Sequence, residues 1–371
     1  MKKFFSKYLL IPANIVVVTM LWFSGWSVNI DPNDFVIPAF LGLTYPIILL
    51  ANLFFILLWL LFNKRYMLIS IIGIFLSFST FSNFFQINLK NDKNIGETIK
   101  VMTYNVRLFD LYNWSENKST RNKIFGLLDE ADADIYCFQE FYQVDRKGVF
   151  TTRDTLITFL RANNYREAYT HKMRGNQYFG VATFSAYPII NSGVIEFSND
   201  INNVCLYSDL KIKEDTIRVY NMHIASIRFS HDDYDFVEKA NYKQDEKELK
   251  KGLKTIYHRL SDAFKKRSDQ TKKVLAHINE SPYETIVCGD FNDTPISFCY
   301  NSFSEYLIDS FKEAGNGIGN SYAGTMPSYR IDYVFHSERF KAHTYTTDKR
   351  KYSDHYPVIV ELTLDDDSES E

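Results

Sequence analysis

Three uncharged runs, Tyr8 to Ile30, Phe35 to Asn63 and Tyr66 to Leu89, hold 23, 29 and 24 residues and constrain this chain more than any other feature. As a helix, each is long enough to cross a hydrocarbon core, which takes roughly 20 apolar residues. Residues 1 to 97 carry 7 Lys/Arg and 4 Asp/Glu, all of them outside those runs. The runs therefore read as a membrane anchor, residues 1–97, of three transmembrane α-helices at about 8–30, 36–62 and 66–88. A secretory signal peptide is the competing reading of the first run, because Lys2, Lys3 and Lys7 precede it. Two further full-length runs follow, however, with no small-residue cleavage site before them. Pro12, Pro38 and Pro46 fall near helix ends or first turns, where proline costs least, and Pro46 is placed to bend the second span. Lys and Arg favour cytoplasmic loops. The N-terminal lysines and Lys64-Arg65 thus define the cytoplasmic side, and the loop with Asp31 and Asp34 defines the other. This orientation, in a plasma (inner) membrane, puts the rest of the chain outside the cytoplasm after three crossings.

The remainder is a different kind of sequence. The 371-residue chain is 46% hydrophobic and only 23% charged, which excludes disorder as its main state. From residue 98 to 364, short β-rich runs alternate with polar helical stretches. Strands are expected at 99–104, 134–138, 180–184, 204–212, 216–222, 285–288, 331–336 and 357–364, with a helix over 121–131. In a long polar stretch, Leu249, Leu253, Ile256, Leu260 and Phe264 recur at helical spacing. That segment, 239–273, carries 12 Lys/Arg against 5 Asp/Glu. It reads either as a solvated helix packed along its apolar stripe or as a basic surface facing phosphates of lipid or nucleic acid. Residues 365–371 hold five acids and read as a solvated tail. The four cysteines show no metal-binding spacing, and Cys137 and Cys288 read as small apolar residues of buried strands.

The polar residues that stand out sit at strand ends. Asn105 follows 101–104, Gln139-Glu140 follows 135–138, and Asn221-Met222-His223 closes another run. Gly289-Asp290-Phe291-Asn292 follows 285–288, Arg330-Ile331-Asp332-Tyr333 opens a strand, and Ser353-Asp354-His355 precedes 357–364. A buried strand gains nothing by ending repeatedly in acids, amides and imidazoles, whereas a catalytic rim requires them. Oxygen donors such as Glu140, Asp354 and the Asn105 amide suit a hard cation, Mg²⁺ or Mn²⁺. A carboxylate such as Asp290 can orient or deprotonate water, and imidazoles can donate to phosphoryl oxygens. Phosphoester hydrolysis is the chemistry these types serve. No Gly-rich phosphate loop and no Gly-x-Ser-x-Gly elbow is present.

The ordered set Thr103-Tyr104-Asn105-Val106-Arg107, Phe138-Gln139-Glu140, Asn221-Met222-His223, Gly289-Asp290-Phe291-Asn292, Arg330-Ile331-Asp332-Tyr333 and Ser353-Asp354-His355-Tyr356-Pro357-Val358 resembles the endonuclease/exonuclease/phosphatase superfamily of metal-dependent phosphoesterases, from about residue 99 to 364. The resemblance implies a catalytic domain over 98–364 with the DNase I-like four-layer α/β fold, a two-sheet β-sandwich flanked by helices with its site at one end. It implies that Glu140 is the principal metal ligand, with Asn105 and Asp354 lining the metal and phosphate site. Asp290 then activates water, Asn292 positions the phosphate or that water, His355 contacts phosphate and is oriented by Asp332, and His223 is a second catalytic imidazole. Arg107 departs from branches that carry an acid two residues after the Asn, which argues against a second metal there. Tyr178 and 180–185 are expected to wall the pocket, and His171, His231, His258, His277, His336 and His343 match no motif.

The expected function is a membrane-anchored, Mg²⁺-dependent phosphoester hydrolase, read as a phosphodiesterase. Its phosphoester substrate is a lipid head group ahead of nucleic acid, and no protein partner is expected. Two alternatives stand beside it: an extracytoplasmic nuclease on DNA or RNA, and an inactive domain that binds a phosphorylated ligand.

Overall fold

The structure, a computed structural model, describes residues 6–88, 96–146, 150–198, 200–227, 236, 246–324 and 327–365. Lys2, Lys3, the end of the third run at Leu89, residues 90–95 of the link, residues 239–245 of the basic segment and all but the first residue of the acidic tail lie outside them. The chain forms two compact bodies. One comprises Met1–Phe81, Ala225–Asp269 and Ile296–Asn301, the other Ser82–Ile224, Gln270–Pro295 and Ser302–Glu371.

The first body is built on the apolar runs. Helices cover Ile11–Trp26, Ile37–Leu43 and Tyr45–Phe62, each with proline in its first turn, where the missing N–H has no intrahelical partner to lose. The second run is therefore not one rod: it breaks at Thr44, just before Pro46, and the length from Tyr45 to Phe62 is the part long and apolar enough to cross a membrane. The third run bends by 68° between Lys64–Leu76 and Phe78–Phe84. By length and composition Tyr8–Asn29 and Tyr45–Phe62 can each cross a membrane, and a third crossing exists where the bent pair acts as one span. Polar side chains tie these helices together. Trp59 Nε1 donates to Asn14 Oδ1 at 2.8 Å, and Asn14 Nδ2 donates to Ser70 Oγ at 2.6 Å. A polar group with no water at hand is costly unless it is paired, so such bonds fix which faces meet. The stripe of the basic segment lies on one long helix, Glu246–Asn279, in which Leu260 and Phe264 are buried. Arg267 is not a surface cation: it is buried, and its Nη1 donates to the Ala225 carbonyl at 3.2 Å.

The second body holds two six-stranded sheets. The strands are β1 (Ile99–Asn105), β2 (Ile135–Val144), β3 (Asn164–Met173), β4 (Gln177–Ser185), β5 (Ile189–Glu196), β6 (Val204–Ile212), β7 (Asp215–His223), β8 (Glu284–Asp290), β9 (Ile308–Asp309), β10 (Asp332–His336), β11 (Phe340–Thr347) and β12 (Val358–Leu364). Their orders are β11-β12-β1-β2-β4-β3 and β5-β6-β7-β8-β10-β9. Each sheet has one parallel pair at its centre, β1 with β2 and β7 with β8, among antiparallel neighbours. A parallel pair needs a crossover, and the Thr120–Ala131 and Glu246–Asn279 helices lie in those two connections. Between the sheets Val101, Cys137, Val219, Ile286, Cys288 and Val360 form one core. On the other face of the first sheet Met102, Tyr104, Tyr136 and Phe138 pack with Ile124, Leu127 and Leu128 of the Thr120–Ala131 helix. Alternation along β1, Val101 inward and Met102 outward, thus serves two cores. All four cysteines are buried, and none forms a disulfide among the described residues.

Candidate active site

The central parallel pairings gather polar residues at the C-termini of β1, β7 and β8 and midway along β2, which runs on to Val144 instead of ending before Gln139. β1 and β2 deliver Asn105 and Glu140; β7 and β8 deliver His223 and Asp290. Asp290, 1% exposed, is the hub. Its Oδ2 accepts from Asn105 Nδ2 at 3.0 Å and lies 3.7 Å from His223 Nε2 and 3.6 Å from His355 Nε2. Its Oδ1 accepts the Asn292 backbone N–H at 2.8 Å. Two sheets therefore meet at one carboxylate. Gly289 lets β8 lie close against β7 within the second sheet: its φ is +148°, and a Cβ there would sit 1.9 Å from the Met222 carbonyl oxygen.

His355 bonds through Nδ1 to Asp332 Oδ2 at 2.8 Å. Asp332 is itself buried, and its N–H donates to Ser321 Oγ at 3.0 Å. Burial opposes a charged imidazole, but Asp332 and Asp290 flank the ring and outweigh it, holding the His355 pKa well above its ordinary value. With Nδ1 committed to Asp332, Nε2 is the nitrogen aimed at Asp290. His223 Nε2 is buried with no hydrogen-bond partner, a polar atom aimed at the same carboxylate.

Glu140 reaches the site by a backbone irregularity. The pairing of β2 with β4 shifts register between Phe138 and Phe141, and Glu140 takes φ +48°. Such a bulge re-aims a side chain, here with a non-glycine residue in the left-handed region. Burial pushes the Glu140 carboxyl up; His223 and His355 pull it down, while Asp354 and Asp290 raise it further. Asp354 pairs with Arg107, Nε to Oδ2 at 3.4 Å, and the Arg107 guanidinium lies 4.6 Å from the centre of the Trp114 ring. Asn292, at φ +50°, gives its side-chain N–H to the Ile224 carbonyl at 3.0 Å. Among the described residues, one set of acid and imidazole atoms lies mutually within 4.8 Å: Asp290, Asp332 and His355. There the imidazole already bridges the two carboxylates. Glu140 and Asp354 with the Asn105 amide supply the hard oxygen donors, and the mutual repulsion felt at Glu140 is what a cation would relieve.

Two residues of the strand-end motifs had no role assigned from the sequence. Gln139 and Asn221 lock the sheets behind the rim, Gln139 Nε2 donating to Asn221 Oδ1 at 2.8 Å. Arg330, by contrast, belongs to the scaffold: it is buried and paired with Asp309 at 2.7 Å. A cleft of about 290 Å³ beside Glu140 and His223 is walled by Leu108, Tyr112, His171, Met173, Phe179 and Val204, among others. His171 is thus a wall residue; of the expected wall Gly180 and Val181 line the cleft, while the aromatic there is Phe179, which the sequence did not single out, and not Tyr178.

A two-sheet α/β sandwich with this rim defines a class of phosphoester hydrolases. The profile of the endonuclease/exonuclease/phosphatase family matches residues 102–355, and the chain belongs to that family, whose members hydrolyse phosphoesters and generally use divalent metal ions. A second profile, a domain of unknown function, matches residues 6–84. No curated protein matches the chain. Among solved structures, an endonuclease/exonuclease/phosphatase from Beutenbergia cavernae is 15% identical with a TM-score of 0.54, over 73% of this chain and 72% of that one. A family protein from Leptotrichia buccalis is 16% identical with a TM-score of 0.50, over 72% and 100%. A mannosyl-6-phosphatase from Bacteroides thetaiotaomicron has the same identity, score and coverage. These likenesses are likenesses of fold.

Proposed function

We propose that this chain is a divalent-cation-dependent phosphodiesterase held at a membrane by residues 1–97, with 98–364 as its catalytic domain. The observation that carries the reading is the meeting of Asn105, His223 and His355 on the single carboxylate of Asp290. In this reading Glu140, Asn105 and Asp354 hold Mg²⁺ or Mn²⁺, which when bound neutralises charge on the phosphoester. Asp290 takes the proton of the attacking water, and the Asn292 backbone N–H keeps the Asp290 carboxylate in place. His355, fixed by Asp332, donates from Nε2 to a phosphoryl oxygen, and His223 does the same from the other sheet.

The apolar wall of Leu108, Met173, Phe179 and Val204 favours a substrate with an apolar part next to its phosphate, which a lipid supplies and a nucleic-acid backbone does not. The test uses the full chain in detergent micelles on phospholipid head-group diesters, single- and double-stranded DNA and RNA, and a sugar monophosphate, with Mg²⁺, Mn²⁺ or excess chelator. Diester turnover that requires the cation is expected. Full turnover in chelator, or turnover of the monoester alone, would sink the reading.

A further inference from the structure

The hydrolase chemistry makes no use of the first half of the Glu246–Asn279 helix. Within the first body this helix is fastened to the connection between the first two apolar runs at Asp31 and Asn33, and to Phe40 near the start of the second run. The Phe40 ring stacks on Tyr257 with centroids 5.2 Å apart and meets Phe264 edge-on at 5.3 Å. Ser268 Oγ donates to Asp31 Oδ1 at 2.6 Å, and Asn33 Nδ2 donates to Asp269 Oδ1 at 2.9 Å. Leu260 and Phe264 are buried there.

At about 100° per residue, Leu249, Leu253, Tyr257, Leu260 and Phe264 share an arc of roughly 80°. The face buried at Leu260 and Phe264 therefore continues toward the helix start, but there it is uncovered: Leu253 is 55% and Leu249 37% exposed. Flanking that arc, Lys254 and Lys247 lie about 100° and 120° from its centre and are exposed, with exposed Lys251 further round. An apolar stripe backed by lysines is the pattern of a helix lying in a membrane interface.

We propose that the turns from Lys247 to Tyr257 lie on the surface of an anionic bilayer, Leu249 and Leu253 dipping into it and the lysines facing lipid phosphates. The inference rests on the reading that the apolar runs cross that bilayer. Lipid rather than another protein is the occupant, because the face packs on Phe40, which lies in the second of the bilayer-length apolar runs. The Tyr45–Phe62 helix is itself uncovered at Ile47, Leu50, Phe54 and Leu57. The lysine cluster selects anionic head groups.

The four native cysteines are buried, so single cysteines can be labelled in the full chain. An environment-sensitive dye is placed at Leu253→Cys, at Asp262→Cys on the exposed opposite side, and at Leu57→Cys on the Tyr45–Phe62 helix. Each is read in nanodiscs of phosphatidylcholine with and without phosphatidylglycerol, with spin-labelled lipid as quencher. At 253 a blue shift and lipid quenching are expected in the anionic discs, and both should be lost with Lys247→Glu/Lys251→Glu/Lys254→Glu; at 262 the dye should stay water-like. A water-like dye at 253 with quenching at 57 would overturn the inference and leave the crossing intact. No quenching at 57 would overturn both. A blue shift at 253 without lipid quenching would mean that protein covers the face, and equal quenching in neutral discs would refute the lipid class assigned.

Discussion

Asp290 ends β8 and Glu140 stands at a bulge within β2, and in the proposed reaction their surroundings give the two acids different work. Asp290 accepts from Asn105 Nδ2 and from the Asn292 N–H and faces two imidazoles, so its geometry is fixed from four sides. Changing it to Asn keeps the shape and removes the base, and kcat should fall by about 10²- to 10⁴-fold, the usual worth of a general base. Cation binding, followed by titration calorimetry, should stay within a few-fold. Glu140→Gln should do the reverse, raising the cation concentration needed for half-maximal rate. Equal loss of cation binding in both variants would refute this division of labour. Arg107 is a further case. Its pair with Asp354 is partly exposed on both sides, and such pairs are worth roughly 0–1 kcal/mol. Arg107→Ala should therefore barely change stability, yet free Asp354 for the cation and lower the half-saturating cation concentration. An unchanged or higher value would show that Arg107 does not compete for that carboxylate.

At the scale of elements, the Ser310–Ala314 helix is joined to the strands by Glu313, which accepts the Ala342 N–H at 2.8 Å and stands 3.1 Å from His336 Nε2. Burial would raise this carboxyl, but the imidazole and the backbone N–H outweigh it, so its pKa is lowered in the folded chain. A depressed folded-state value stabilises above the usual carboxylate range, and that stability is lost as pH falls through the lowered value. Glu313→Gln should melt a few degrees below the parent at pH 7, since about 1 kcal/mol moves Tm by roughly 2–4 °C in a domain of this size. The gap should begin to narrow near pH 4, where free carboxylates protonate, and close as pH falls through the lowered value. A gap independent of pH would count against the linkage. The strands legible in the sequence were β1, β2, β4, β6, β7, β8, β10 and β12, which are the interior strands of the two sheets. The ones not legible, β3, β5, β9 and β11, are the four edges. Interior strands are covered on both sides and read as apolar runs, whereas Asn164–Met173 and Ile189–Glu196 are largely half-exposed and carry polar residues without clean alternation. The site divides the same way. Asn105, His223, Asp290 and His355 end or adjoin interior strands and could be named. The wall at His171 comes from an edge strand and could not. Glu140 could be named but not aimed, because its bulge depends on the pairing of β2 with β4.

For the whole molecule, the side on which the catalytic domain works is a matter of parity. Lys64 and Arg65 follow the second apolar helix, and Asp31 and Asp34 follow the first, so the charge rule puts 63–65 in the cytoplasm. Everything after that depends on whether Lys64–Leu76 and Phe78–Phe84, bent by 68°, cross as one span or turn back. At the bend Ser77 N–H still donates to Gly73 O at 3.2 Å, and Ser77 Oγ donates to Ile74 O at 3.0 Å. The backbone groups at the kink are thus largely paired, as a helix that stays in hydrocarbon requires. Ser70 and the Trp22 bond to Gly73 also tie Met67–Leu76 to the first helix, Trp22 Nε1 donating at 3.0 Å. These ties hold the segment within the helical bundle and favour a crossing. A reporter that works only outside the cytoplasm, fused after Leu364, should therefore be active, while the same reporter after Asn63 should be silent. Both silent would mean that the bent pair turns back, and a phosphoester of the cytoplasm would become the substrate to test. Activity after Asn63 would invert the whole arrangement and break the link between the lysine pattern and the side of the membrane on which the Asp290 site operates.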